Sequence, residues 1–182
     1  MEFYVQPAQM YLQLIKGKGS FMEIRNYIGT KRIYATPMTR KAYNDYRGWE
    51  LPADENGEDA GYLVEYIDSP NSNHTNHKGY ISWSPKSVFE ESYRRTDGMS
   101  FGLAIEAMKK GYCVSRSGWN GKGMFIFMRS GRRITGVDPS SPMGGDFDSR
   151  DHICMKDAQG KCVVGWLASQ TDMLSDDWSI VE

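Results

Sequence analysis

No charge of either sign dominates this sequence: 22 lysines and arginines face 23 aspartates and glutamates, for a net charge of −1. The basic excess that draws a protein onto a nucleic-acid backbone is missing, so duplex DNA or RNA is not the expected partner. Cysteine is scarce. Three residues, Cys113, Cys154 and Cys162, make an odd number without the tight spacing of a disulfide framework or a tetrahedral zinc site. Cys154 and Cys162 can face each other across a hairpin, but free thiols are expected. No apolar run approaches the roughly 18 residues of a membrane span, and no membrane association is expected. Residues 1–20 lack a basic start and a long apolar stretch, so they do not read as a signal peptide and a cytosolic chain is expected. Nucleophile elbow, P-loop, dinucleotide fingerprint and zinc-protease motifs are all missing, which leaves catalysis weakly supported.

What the chain does have is apolar mass and flat rings. Its 182 residues are 40% hydrophobic and 25% charged, enough to bury a core in one ordinary domain or two small ones. Aromatic residues make up 13%, with five tryptophans and eleven tyrosines. Such rings fill small cores, and they also stack on planar ligands.

The pattern divides the chain. Residues 1–21 follow no period and read as an extension, with Met22 as the expected natural start. Residues 22–96 read as a small α+β unit of unknown role. Lys31–Ala35 has strand character, and Thr39 caps a short helix, Arg40–Arg47, that Gly48 stops, with Tyr43 and Tyr46 on one face. An acidic loop at Asp54–Asp59 precedes a strand, Gly61–Ile67; a polar loop, Asp68–Lys78, leads to a second, Tyr80–Trp83. Ser84 and Pro85 open a helix expected to run to Arg95, with Glu90–Arg94 and Glu91–Arg95 pairs and Phe89 and Tyr93 packed inward. Thr96–Gly98 is a linker too short for much freedom.

Residues 99–182 read as a second unit. Ser100 is the expected N-cap of a helix whose buried side carries Phe101, Ile105 and Met108, with Gly111 as its end. Strands Tyr112–Arg116 and Met124–Met128 flank a glycine-rich turn. A long loop spans Ser130–Arg150, followed by the hairpin His152–Lys156 with Lys161–Val164, a partly helical Trp166–Asp177, and a last strand Trp178–Val181. The expected class is α+β: a small antiparallel sheet domain with short helices, preceded by the smaller α+β unit.

The turn Gly118–Gly123 is the most informative segment. Its three glycines and Asn120 permit unusual backbone angles and close approach, and they carry Trp119 at the mouth of a hairpin. There the indole can stack on a flat base, or fold back as a corner packing residue. Downstream, Trp166 precedes Ala168, Ser169, Gln170, Thr171 and Asp172. That run can open a helical turn with backbone N–H groups suited to phosphate or ribose, and Ser169 or Thr171 can equally serve as its cap. His74 and His77 lack a third metal ligand, and Asp54–Asp59 lacks the spacing of a calcium loop. Both read as solvated loops, and no metal is expected. Arg132 and Arg133 are read as solvated. Asp176 and Asp177 point apart on a helical turn and do not make a convincing acid–base pair.

Several of these segments, in order, resemble a known phage family. Met99–Met108 (MSFGLAIEAM), the GWNGKGMF block at Gly118–Phe125, HICMK at His152–Lys156 and GWLASQTDML at Gly165–Leu174 are similar to the second Thoeris anti-defence family. The resemblance covers nearly all of 99–182. It implies a β-rich domain that assembles as a homotetramer and sequesters cyclic ADP-ribose-type immune signals, with cyclic oligonucleotides held by some members at a separate site. Such proteins act in the cytoplasm of the bacterial host, leave the ligand intact and need no cofactor. Carried onto this chain, Trp119 stacks on a base with Phe101, Arg116 and Asn120 nearby. Trp166, Ala168, Ser169, Gln170, Thr171 and Asp172 line the pocket. The competing readings are a nucleotide-hydrolysing enzyme and a phage structural or protein-interaction domain. The loop Ser130–Arg150 and the unit before residue 97 lie outside the resemblance.

Overall fold

The computed structural model describes residues 27–140 and 142–181. The expected extension 1–21 and the start at Met22 therefore lie outside the described residues. The fold is α+β with antiparallel sheets and short helices, as expected.

Strands β1 (Tyr34–Pro37), β2 (Gly61–Tyr66) and β3 (Tyr80–Pro85) form one sheet in that order, with helix α1 (Arg40–Arg47) between β1 and β2 and α2 (Lys86–Ser92) after β3. Both caps of α1 are those the residues predict: Thr39 accepts a hydrogen bond from the N–H of Ala42, and Gly48 closes the helix at φ +68°. One sheet face carries Leu63, Ile81 and Trp83, which cluster with Tyr43 of α1 and Met38. On the other, Tyr62 stacks on Phe89 of α2 with ring centroids 4.1 Å apart, and Phe89 stacks on Tyr93.

Several local expectations need correcting here. Residues 31–33 do not pair; β1 begins at Tyr34, while Arg32 donates a 2.9 Å hydrogen bond to the hydroxyl of Tyr112. Pro85 is the last residue of β3 and the cap of α2, and the helix ends at Ser92 because Tyr93 turns extended while its ring stays on Phe89. The two expected Glu–Arg pairs therefore do not form: Arg94 bonds main-chain carbonyls and Arg95 pairs with Asp97. The acidic loop is not simply solvated, since Glu55 pairs with Arg40 and the carbonyls of Gly57 and Asp59 accept from the first N–H groups of α1. The histidine loop is pinned as well. His77 bridges the Tyr46 hydroxyl, at 2.9 Å, and the Glu65 carboxylate, at 2.8 Å, while His74 stacks on Tyr46.

The second sheet has five strands in the order β10 (Trp178–Val181), β4 (Cys113–Arg116), β5 (Phe125–Arg129), β8 (His152–Lys156) and β9 (Cys162–Val164). Antiparallel register puts Trp178 opposite Arg116, Ile180 opposite Val114, Val114 opposite Ile126, and Ile126 opposite Met155. These side chains share a face, because facing positions on antiparallel strands point the same way. Helix α3 (Phe101–Lys109) covers that face with Ala104, Ala107 and Met108. The small alanines let the helix lie close to the sheet, so they and Met108 are its most buried residues; Phe101 and Ile105 are only partly buried beside them. Ser100 occupies the cap position without a side-chain cap bond.

The long loop after β5 contains a small hairpin, β6 (Arg133–Ile134) with β7 (Phe147–Asp148), held further by the Ser149 hydroxyl accepting from the N–H of Arg132. Cys154 and Cys162 are diagonal rather than directly opposed, since Cys154 faces Val164 and Cys162 faces Lys156; all three cysteines are free. The linker is structured, with the N–H of Ile180 donating to the carbonyl of Thr96 at 2.9 Å. Among the described residues, no helix is long and apolar enough to cross a membrane.

Candidate functional site

Between β4 and β5 the chain turns at Gly118–Gly123, and the glycines have distinct reasons. A Cβ on Gly118 would lie 2.9 Å from Oδ2 of Asp177, and one on Gly121 would lie 2.1 Å from the Met124 sulfur, so both positions are close approaches. Gly123 alone of the three adopts positive φ, at +69°. Trp119 leaves this turn half-buried and leans on the domain's aromatic cluster. Its ring centroid lies 6.0 Å from Trp166 and 5.4 Å from Trp178, both edge-on. Phe101 approaches Trp166 and Trp178 from α3. Trp119 thus packs against the core while the residue as a whole stays partly exposed.

Beneath these rings lies a polar hub, Asp172. Helix α4 (Gln170–Met173) opens with a reciprocal capping box in which the Ser169 hydroxyl accepts from the N–H of Asp172 while the Asp172 carboxylate accepts from the Ser169 N–H. The Oδ2 atom of Asp172 also accepts from the Ser169 hydroxyl, and Oδ1 accepts from the Trp119 indole N–H at 3.0 Å and from Arg116 at 2.8 Å. The main-chain carbonyl of Asp172 takes the indole N–H of Trp178. Burial disfavours the Asp172 carboxylate, but hydrogen bonds from Ser169, Arg116 and Trp119 outweigh it and hold its pKa at about 2.

Asp177 is a second hub. It accepts from Nε of Arg116 at 2.7 Å, from the N–H of Gly118 at 2.8 Å and from the Ser117 hydroxyl at 3.2 Å. The Arg116 bond, together with the Gly118 N–H, holds its carboxyl below the usual range. Arg116 lies between the two carboxylates with its side chain 10% exposed, and Asp177 and then Asp172 push its pKa upward.

The fold therefore brings together Phe101, Arg116, Trp119, Trp166, Ser169 and Asp172 from four separate segments. Asn120 lies exposed on the glycine-rich turn and Gln170 and Thr171 lie exposed at the start of α4, while Ala168 is half-buried. Asp177 is a member of the site that its own neighbourhood in the sequence does not reveal, because beside Asp176 it reads as half of an unconvincing acid–base pair. Had the last strand been paired with β4, Trp178 would have fallen opposite Arg116 and Asp177 beside Gly118. Two surface concavities lie elsewhere, one beside Trp83 and Lys86, the other at Gly131 and Asp148–Asp151, and Trp119 lines neither. Among the described residues, no group of three His, Cys, Asp or Glu is placed to hold a metal ion.

The five-stranded sheet with α3 and α4 thus carries an indole–carboxylate cluster at one end. Residues 99–181 match a family described as the Thoeris anti-defense 2-like domain. Thoeris anti-defense 2 of Bacillus phage SP01 is 41% identical over 90 residues, covering 46% of this chain and 94% of that protein. The chain belongs to the Thoeris anti-defense 2 family.

Proposed function

We propose that residues 99–182 bind a cyclic nucleotide immune signal and withhold it from host defence without cleaving it, a cyclic ADP-ribose isomer being the first ligand to test. Family membership supports an anti-defence role in the infected bacterium. The observation that carries the ligand reading is Trp119: a partly buried residue whose indole edge is fixed by Asp172 and whose neighbours are further aromatic rings. A ring held in one orientation stacks on a purine with little ordering cost. The exposed turn at Asn120 and the Gln170–Thr171 segment add polar groups at its margin.

The ligand-competent form is a homo-oligomer, with a tetramer as the working expectation. Exposed apolar side chains support this. Leu167 and Leu174 flank the Ser169–Asp172 turn at 89% and 82% exposure, and Val164 on the far sheet face is 68% exposed. The three-stranded sheet with α1 and α2 is proposed to be a separate unit, and it is given no part in ligand capture here.

Calorimetric titration of the purified full chain with cyclic ADP-ribose isomers tests the reading. Saturable binding followed by intact recovery of the ligand on heating is expected. Recovery of a linear or hydrolysed product would replace sequestration with a nucleotide-hydrolysing enzyme. Absence of binding to any isomer or cyclic oligonucleotide would leave a structural or protein-interaction domain.

A further inference from the structure

Taking the Trp119 site as the ligand site proposed above, we infer that Asp177 and Arg116 are positioning residues that act through Trp119, with the Arg116 guanidinium serving as an internal strut rather than a phosphate contact. An arginine beside a nucleotide site ordinarily reads as a phosphate ligand. Here each of its three nitrogens already has a carboxylate partner. Nε and Nη2 reach Asp177 at 2.7 and 3.4 Å, and Nη1 reaches Asp172 at 2.8 Å. One positive charge is shared between two carboxylates, so an approaching phosphate would meet local negative charge rather than an available cation.

The same contacts build a frame around the indole. Asp177 holds the N–H of Gly118, the residue just before Trp119, and its Oδ2 occupies the space a side chain at 118 would need. Asp172 holds the indole N–H itself. Arg116 ties the two carboxylates together, so the start of the turn and the edge of the ring are fixed relative to each other. A planar fork can do this; an ammonium cannot bridge both partners in the same geometry.

The two roles of Arg116 predict opposite signs for one substitution. If Arg116 is a strut, Asp177→Asn releases the turn and weakens cyclic ADP-ribose binding by about tenfold, on the scale of one tightly hydrogen-bonded charge. Arg116→Lys weakens it similarly, and the double variant is little worse than either single one, because all three break one frame. If Arg116 is a phosphate ligand, Asp177→Asn removes a competing carboxylate and leaves affinity equal or higher; that result overturns the inference. A second readout needs no ligand. In the free full-length protein, Asp177→Asn and the milder Ser117→Ala are expected to shift the Trp119 indole N–H resonance and speed amide exchange at Gly118. An unmoved Trp119 resonance in folded Asp177→Asn or Ser117→Ala overturns the positioning role. If the wild-type chain binds no cyclic nucleotide, the sequestration proposal fails, while these ligand-free measurements still decide whether Asp177 holds the turn.

Discussion

The indole N–H of Trp119 donates to Oδ1 of Asp172 at 3.0 Å, joining the glycine-rich turn to a helical cap 53 residues later in the chain. Stacking and orientation are thereby separable contributions of one side chain. Trp119→Ala removes both and is expected to weaken ligand binding by about 1–3 kcal/mol, the range for base–aromatic stacking. Trp119→Phe keeps a ring and loses the N–H, so its affinity should fall between wild type and alanine. Calorimetric titration of the two variants checks the order; equal affinity in wild type and Trp119→Ala would remove the ring from the site.

Acid should loosen this domain in a defined window. The folded-state pKa of Asp172 is about 2, below its ordinary value of 3.8. A depressed carboxylate stabilises the fold above its unfolded pKa, and that stabilisation disappears as pH falls toward the folded value. The difference corresponds to about 2 kcal/mol at neutral pH. Asp177 is shifted the same way by Arg116 and adds to the trend. Unfolding midpoints in urea measured from pH 6 to about pH 2 should fall mainly below pH 5, and Asp172→Asn should flatten that fall.

Local signals were legible in the sequence where their partners are close in the chain. Thr39 and Gly48 bracket α1 because a cap and a stop act within one turn of the residues they serve. The last strand begins at Trp178, as its residues suggest, and the turn Gly118–Gly123 falls between β4 and β5. Longer reach was harder. Asp177 gains its role from Arg116 and Gly118, about sixty positions away, once β10 lies beside β4. Likewise His77 looks like a loop residue until β2 and α1 bring Glu65 and Tyr46 to its two nitrogens. On α3, hydrophobic size marks Phe101, Ile105 and Met108, and all three pack on the core, but the closest packing also selects Ala104 and Ala107, whose small side chains carry no such signal.

Gly118 offers a small perturbation of the same region. Alanine there would place its Cβ 2.9 Å from Asp177 Oδ2 and 3.2 Å from Nη2 of Arg116, so the carboxylate must move. Gly118→Ala is expected to cost about 1–3 kcal/mol, as overpacking does. Thermal unfolding should register that loss. Free accommodation of the methyl, with unchanged stability, would show that the Asp177 contact is loose.

The Glu65–His77–Tyr46 chain predicts a local rather than global effect. Glu65 is held below its ordinary pKa, first by His77 and then by the Gly79 N–H. Its contribution is therefore present above the normal carboxylate range and fades as pH falls through it. Glu65→Gln weakens its hydrogen bonds with His77 and with the N–H groups of Lys78 and Gly79. Faster amide exchange across residues 68–79, with little change in the Trp119 indole N–H resonance, is the expected result. Protection unchanged across that loop would mean the chain of contacts does not anchor it.

Ile81 and Ile126 are both fully buried, yet they belong to separate clusters, one around Tyr43 and Leu63, the other around Trp178 and Met108. If residues 22–96 and 99–182 are separate folding units, as proposed, each cavity should be felt mainly in its own unit. Ile81→Ala and Ile126→Ala are each expected to cost about 2–5 kcal/mol. Native-state hydrogen exchange can assign the loss: Ile81→Ala should release amides of β2 and β3, and Ile126→Ala those of β4, β5 and β8. The short linker and the Arg32–Tyr112 contact couple the units to some degree, so a minor shared component is compatible with separate cores. Equal loss of protection in both sheets from either substitution would instead define a single cooperative unit.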